Sequence, residues 1–174
     1  AGTTGKAYAI EALKVNLNNR NVSGGVRYNL HCANIGWQGW RSDGSVGGTT
    51  GQSRQTEAIR LELTGEAANQ YDIYYRVHCE SFGWLDWAKN GEMAGSEGYG
   101  YRMEAIQIKL VKKGSAAPGS TATPNKAPLV AYQSHVSGIG WQSYSRDGAR
   151  SGTTGAARAI EAVTAYLPTQ AYSG

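Results

Sequence analysis

Three stretches of the sequence align under one another without a gap, and this internal repetition restricts the fold more than any other feature. The stretches are YNLHCANIGWQGWRSDGSVGGTTGQSRQTEAI, YRVHCESFGWLDWAKNGEMAGSEGYGYRMEAI and YQSHVSGIGWQSYSRDGARSGTTGAARAIEAV. In each copy a histidine precedes a tryptophan by six residues and a glutamate by 26 residues. The opening AGTTGKAYAIEAL matches the second half of a further copy, with Glu11 at the glutamate position. The chain is therefore one half-unit followed by three whole units.

The copies recur every 46–47 residues until the last, which is delayed by ten. The delay coincides with residues 112–129, which are rich in Pro, Ser, Ala and Thr and lack periodicity, as in a linker or a long loop. We therefore expect a half-unit and two repeats (units 22–64 and 70–111) within residues 1–111, and a third repeat at 130–174. The insert either separates two modules or bulges from one compact domain.

Within each unit the hydrophobic period is two, which predicts strands. Val26, Tyr28, Leu30 and Cys32 share one face of a strand, as do Ile73, Tyr75, Val77 and Cys79 in the next copy. The segments after each glutamate alternate too, and the Asp43-Gly44, Asn90-Gly91 and Asp147-Gly148 pairs are hairpin-turn signals. The fold class is all-β.

A unit of this length cannot bury its apolar face alone, so several units must share a core. A closed pseudo-threefold arrangement does this and also removes exposed strand edges. The sheet-like strands favour a β-prism, with a β-trefoil as the alternative. The N-terminal half-unit fits either one if it completes a sheet from the last copy.

Composition and charge exclude several functions. The net charge of +4 is split into +3 over residues 1–65, −3 over 66–111 and +4 over 112–174, whereas a nucleic-acid binder shows a continuous basic face. No apolar run is long enough to span a bilayer, so membrane insertion is not expected. Eleven Tyr and five Trp against one Phe suit β-rich surfaces that face water or sugars.

The pattern HxxxxGWxxW…DGxxxGTTGxxxxxEAI resembles the ChW repeat, a clostridial hydrophobic repeat with a characteristic tryptophan. The resemblance covers almost the whole chain outside residues 112–129. It implies a non-catalytic module of secreted or surface proteins of Gram-positive bacteria, suspected of binding polysaccharide or protein. The chain departs from the pattern at Tyr144, where a second Trp is expected, and at GSEGYG, which replaces GTTGQ.

Each repeat carries an aromatic pair. The first members, which are the same in every copy, are expected to be core residues: Trp37, Trp84 and Trp141. The second members lie three residues further on and so face the other way on a strand. They are candidate ligand-binding residues, because Trp and Tyr offer a flat apolar face with a polar edge: Trp40, Trp87 and Tyr144.

A glutamate recurs at one position of every unit, and alternation places it on the core face: Glu11, Glu57, Glu104 and Glu161. A carboxylate facing inward must be paired. Either the backbone N–H groups of the nearby Gly-rich loop hold it, or it lies at the solvated end of its strand. These four glutamates are assigned structural roles, since one carboxylate per unit offers no acid/base partner for glycoside hydrolysis.

The histidines lie on the face opposite the apolar set, as structural or ligand-contacting residues: His31, His78 and His135. No metal site and no cofactor is expected, because no carboxylate spacing supports one. Cys32 and Cys79 occupy the position of Val136 and are expected to be free and buried, although a disulfide between them is the alternative.

These features predict a secreted or cell-surface module that binds polysaccharide through aromatic residues and is not an enzyme. The alternative is a structural or adhesive repeat that contacts another surface protein or its own copies. The charge alternation and the unpaired half-unit favour the alternative, and the family context supports glycan binding.

Overall fold

The computed structural model describes residues 1–18 and 21–168. Residues 19–20 and 169–174, which belong to the predicted segments 1–111 and 130–174, lie outside the described residues. The chain divides into two units: unit 1 is Ala1–Lys126 and unit 2 is Ala127–Gly174. Unit 1 holds the half-unit and the first two repeats, and unit 2 holds the third repeat.

The secondary structure is almost entirely β, as predicted. The half-unit and first repeat contain β1 (Ala12–Leu13), β2 (Gly25–Cys32), β3 (Gly36–Trp37), β4 (Arg41–Ser42), β5 (Gly47–Gly48) and β6 (Thr56–Thr64). One short helix, α1 (Glu66–Gln70), follows. The second repeat contains β7 (Tyr71–Cys79), β8 (Gly83–Trp84), β9 (Ala88–Lys89), β10 (Ala94–Gly95) and β11 (Met103–Lys112). The third contains β12 (Ala131–Val136), β13 (Gly140–Trp141), β14 (Ser145–Arg146) and β15 (Ile160–Tyr166).

Each repeat is built on one long antiparallel pair: β2 with β6, β7 with β11, and β12 with β15. The two short strands of each repeat pair with the opposite edge of the first long strand. The predicted apolar faces of β2 and β7 are buried in unit 1, which confirms the period of two. They form one core with β6, β10 and part of β11.

A β-bulge recurs in all three long pairs. Cys32 pairs with Thr56 and His31 with Ala58, so Glu57 is the extra residue. The register shifts at the equivalent glutamates of the other two repeats, Glu104 and Glu161. An extra residue breaks the alternation of side chains locally, so the period of two does not hold at the glutamate position.

The predicted turns are present, but they do not connect two paired strands. The amide of Glu92 donates to the carbonyl of Lys89 across Asn90-Gly91, and both central residues have positive φ (43° and 92°), as type I′ turns require. Beyond the turn the chain leaves its own sheet, and β10 pairs with β6 of the preceding repeat.

Three equivalent contacts close a cycle within unit 1. The amide of Thr49 donates to the carbonyl of Glu11 (3.0 Å), and the amide of Ser96 donates to the carbonyl of Glu57 (2.9 Å). The amide of Thr3 donates to the carbonyl of Glu104 (2.9 Å). Each Gly-rich loop thus binds the glutamate strand of the preceding copy, and the half-unit's loop binds the strand of the second repeat. We call these three contacts the closed cycle.

The closed cycle differs in one respect from the predicted arrangement. The half-unit completes a cycle with the second repeat, and not with the last copy, because the loop at Gly2 lies against Ala105. Unit 1 thus reaches a pseudo-threefold arrangement with two and a half copies. The choice between a β-prism and a β-trefoil stays a prediction.

Part of the segment 112–129 packs against the second repeat. The amide of Trp87 donates to the carbonyl of Ser120 (2.9 Å), and the Asp86 carboxylate accepts from Ser120 and Thr123. The amide of Lys126 donates to the carbonyl of Gly95 (2.8 Å). Residues 119–126 are therefore anchored to unit 1.

Unit 2 is a single sheet with an exposed second long strand, since every residue of β15 is exposed. Among the described residues, no helix is long and apolar enough to cross a membrane.

Candidate functional site

A glutamate and a histidine meet in every complete repeat. The distance from Nδ1 of the histidine to Oε2 of the glutamate is 3.1 Å for His31–Glu57, 3.0 Å for His78–Glu104 and 2.9 Å for His135–Glu161. The bulge makes this possible, because it turns the glutamate away from the core face towards the histidine. In the third repeat the contact is also an aligned hydrogen bond.

The prediction that backbone N–H groups of the Gly-rich loop bind these carboxylates is therefore wrong. The Gly-rich loop does approach the glutamate, but it binds the backbone carbonyl and not the carboxylate. Glu57 and Glu104 are buried, and the histidine of the same repeat lies within reach of each carboxylate. The Arg102 guanidinium also donates to Oε1 of Glu104, from Nη2 at 2.9 Å and from Nε at 3.1 Å. Glu11 stands in the half-unit, which has no histidine, and its carbonyl accepts from Thr49.

The same histidines contact the first tryptophan edge-on. Ring centroids are 5.4 Å apart for His31–Trp37, 5.5 Å for His78–Trp84 and 5.3 Å for His135–Trp141. Each pair faces directly across an antiparallel ladder, so both rings lie on the same side of the sheet. Each complete repeat thus presents a Glu–His–Trp cluster.

The first tryptophans do not lie in the core, which corrects the expectation for them. Trp84 is 36% exposed and Trp141 49% exposed, and Trp37 is half-buried. The cause is the pairing with the histidine, which the sequence already placed opposite the apolar face. The constant six-residue spacing was the signal that could have shown this, since it makes the two residues cross-strand neighbours.

Arginines cover the tryptophans of unit 1. The guanidinium of Arg60 lies 4.8 Å from the ring centre of Trp37, and that of Arg27 lies 4.9 Å from Trp40. Arg76 lies 5.0 Å from Trp84 and 4.9 Å from Trp87. Cation–π contacts of this kind hold a ring in place and occupy one of its faces.

The second aromatic positions differ among the copies. Trp40 is 39% exposed and Tyr144 is 40% exposed, so both are accessible, as a ligand-binding residue must be. Trp87 is only 9% exposed. Residues 119–120 cover it, and Gly119 is so close that a Cβ there would lie 3.1 Å from Nε1 of Trp87. A ligand cannot stack on Trp87 in this structure.

A family model described as Clostridial hydrophobic W, ChW, matches the chain three times, at residues 31–65, 78–112 and 135–167. These matches cover more than half of the sequence. The chain belongs to the ChW family. Comparison with curated proteins and with solved structures gave no match.

The third ChW repeat has the most open aromatic surface. A cleft of about 460 Å³ is lined by Trp141, Gln142, Ser143, Tyr144, Ser145, Arg150 and Ser151. The residues aligned with the stacking arginines of the other repeats are Ala131, Gln133 and Thr164. None of these can form a cation–π contact, so no guanidinium from those positions covers Trp141. The cleft combines two exposed aromatic rings with hydroxyl, amide and guanidinium groups.

The cysteines are free and buried in both ChW repeats of unit 1. Burial raises the pKa of the Cys79 thiol to about 12, and burial and Glu57 raise the pKa of Cys32. Thiols of this kind are poor nucleophiles at neutral pH. Within residues 1–18 and 21–168, no three His, Cys, Asp or Glu side chains are grouped in a way that could hold a metal ion.

Proposed function

We propose that this chain is a non-catalytic module of the extracellular cell surface that binds polysaccharide through the exposed aromatic side chains of its ChW repeats. The observation that carries the proposal is the cleft of the third repeat, where Trp141 and Tyr144 are both exposed beside polar side chains. Sugar rings have apolar faces and hydroxyl edges, which match an aromatic ring flanked by hydrogen-bonding groups.

A second, weaker subsite lies at Trp40 in the first repeat. Arg27 stacks on one face of the ring and leaves the side chain 39% exposed. The second repeat contributes none, because Trp87 is covered. A long polymer that contacted the subsites of both units at once would bind more tightly than either subsite alone allows.

The test is a glycan array probed with the intact chain, followed by titration of each bound glycan monitored by tryptophan fluorescence. Trp141→Ala should weaken binding by at least about tenfold, which corresponds to about 1.4 kcal/mol. Trp40→Ala should have a smaller effect.

Trp87→Phe is the matched control, because it alters a tryptophan at the repeat position of Trp40 that no ligand can reach. It should leave affinity unchanged. Absence of binding to every glycan, or equal losses in Trp87→Phe and Trp141→Ala, would contradict the proposal.

A further inference from the structure

The third repeat has both sides of the contact that forms the closed cycle, but neither side is used within residues 127–168, the described part of unit 2. Gly152 and Thr153 align with Gly48 and Thr49, and Gly152 keeps the positive φ of that loop (102°). Glu161 stands at the same bulge as Glu57. Among the described residues of unit 2, the Thr153 amide has no hydrogen-bond acceptor.

The apolar side chains around this contact are exposed only in the third repeat. Val163 is 62% exposed, whereas the aligned Ile59 and Ile106 are 0% and 5% exposed. Ile160 is also exposed, whereas the aligned Thr56 and Met103 are fully buried. In unit 1 these positions are covered by the loop and strands of neighbouring copies, so unit 1 shows what covers such a face.

The contact is head-to-tail, since the loop of one copy binds the strand of another. Head-to-tail contacts form a ring when the rotation between copies closes, and an open filament when it does not. In unit 1 the ring closes after three such contacts, each between one loop and one strand. A single repeat is too small to bury a core of its own, so association is the usual way to stabilise it.

We propose that three copies of this chain associate through unit 2 into a threefold ring. In the ring, the amide of Thr153 of each chain donates to the carbonyl of Glu161 of the next chain, and Ile160 and Val163 become buried. The occupant of the exposed β15 face is therefore a second copy of the same repeat.

This assembly is independent of the proposed glycan binding. Trp40 and Trp84 remain exposed although unit 1 is closed. The aligned Tyr144 and Trp141 therefore stay accessible in the ring, and loss of either property would not imply loss of the other.

The experiment is sedimentation velocity of the full chain over a range of concentrations from micromolar to millimolar. The expected result is a reversible species with three times the 18.5 kDa mass of one chain. A monomer at all concentrations, a dimer as the end point, or continued growth into filaments would overturn the proposal.

Substitutions locate the contact. Val163→Glu should raise the dissociation constant at least about tenfold, because it buries an unpaired carboxylate, while circular dichroism of the monomer stays unchanged. Ile139→Glu is the matched control, because Ile139 and its aligned residue Ile35 are both exposed, and it should leave the trimer intact. Loss of the trimer in Ile108→Glu, which alters an exposed side chain of unit 1, with no loss in Val163→Glu would contradict the proposal.

Discussion

Units 1 and 2 are made of the same repeat, yet the same strand position is buried in one and exposed in the other. Ile59 of unit 1 is fully buried and pairs with Ala94 of β10 from the next repeat, whereas Val163 of unit 2 is exposed. The sequences of the two strands do not cause this difference, because both alternate apolar residues after the glutamate. The sequence of a ChW repeat therefore determines an apolar strand face, and the neighbouring copies determine whether that face is buried.

Replacing the glycine of the loop-to-strand contact should give the largest difference between the units. A Cβ on Gly95 would lie 2.4 Å from the carbonyl oxygen of Glu57, whereas the nearest contacts of a Cβ on Gly152 are side-chain atoms, the closest on Ile160 at 3.2 Å. Gly95→Ala should lower the free energy of unfolding of unit 1 by about 3 kcal/mol or more, from positive-φ strain and overpacking together.

Gly152→Ala is the control for Gly95→Ala, because Gly152 also has a positive φ (102°, against 136° for Gly95) but lacks the backbone contact. In the monomer it should cost about 1 kcal/mol. Urea denaturation followed by tryptophan fluorescence measures the first variant, since four of the five tryptophans lie in unit 1. The stability of Gly152→Ala is measured by chemical denaturation followed by Trp141 fluorescence, in a chain whose four unit 1 tryptophans have been replaced. Equal losses would mean that the loop contact does not stabilise unit 1.

The acid stability of the units should also differ. Asp72 is buried, and burial alone would raise its pKa. Hydrogen bonds from Asn90 (2.7 Å), Lys89 and Lys113 (both 3.1 Å) outweigh burial and hold its pKa well below the usual range. A carboxyl whose pKa is lowered by folding stabilises the protein above its unfolded pKa of about 3.9, and this contribution is lost as pH falls further.

Unit 1 should therefore lose stability as the pH falls below about 4, and Asp72→Asn should make this dependence shallower. Leu129 occupies the aligned position in unit 2, so unit 2 lacks a carboxylate at this position. Thermal unfolding at pH 2 to 7, with separate probes for each unit, measures the acid dependence of unit 1 and the effect of Asp72→Asn on it. An unchanged acid dependence in Asp72→Asn would be inconsistent with this ion network.

In all three repeats a tyrosine hydroxyl donates a hydrogen bond to the backbone carbonyl of the residue that ends the turn. The pairs are Tyr28 with Ser45, Tyr75 with Glu92 and Tyr132 with Ala149. Tyr75 is fully buried, so Tyr75→Phe removes a hydrogen bond that water cannot replace on the side-chain side, and it should cost about 1 kcal/mol. Tyr132→Phe, where water can replace the hydroxyl, should cost less than about 0.5 kcal/mol. Urea denaturation measures both, and a larger loss in Tyr132→Phe would reverse the expected order.

The smallest effect is expected where the two units already differ naturally. Val136 of unit 2 stands where unit 1 has Cys79, and both are fully buried. Cys79→Val should change the free energy of unfolding by less than about 1.5 kcal/mol, because it conserves volume and polarity. A loss of several kcal/mol, or a loss of all glycan binding, would show that this thiol has a further role.

The sequence predicted most of the local structure. Alternation placed Tyr28, Leu30 and Cys32 on the buried face, and the structure confirms this. Alternation failed at Glu57, because a bulge inserts one unpaired residue and no residue type in the segment requires a bulge. The same bulge brings the carboxylate to His31, so the pair could not be found from a strict period of two.

The burial of each aromatic residue was hard to predict from the sequence. Trp37 pairs with an outward histidine across a two-residue strand, and such a short strand gives no periodic signal. Trp87 is covered by Gly119 and Ser120, which belong to a low-complexity segment without a hydrophobic pattern. Val163 is exposed because its neighbour lies outside its own repeat, and a repeat sequence alone does not say which neighbours are present.

Hydrogen exchange at three amides tests the closed cycle of unit 1 most directly. The amides of Thr3, Thr49 and Ser96 all donate to a glutamate carbonyl of another copy, so we expect strong and similar protection of all three. Thr153 of a dilute, monomeric sample should exchange freely. Protection of Thr49 and Ser96 with free exchange at Thr3 would show that the half-unit does not close the cycle, and would contradict the closed cycle of unit 1.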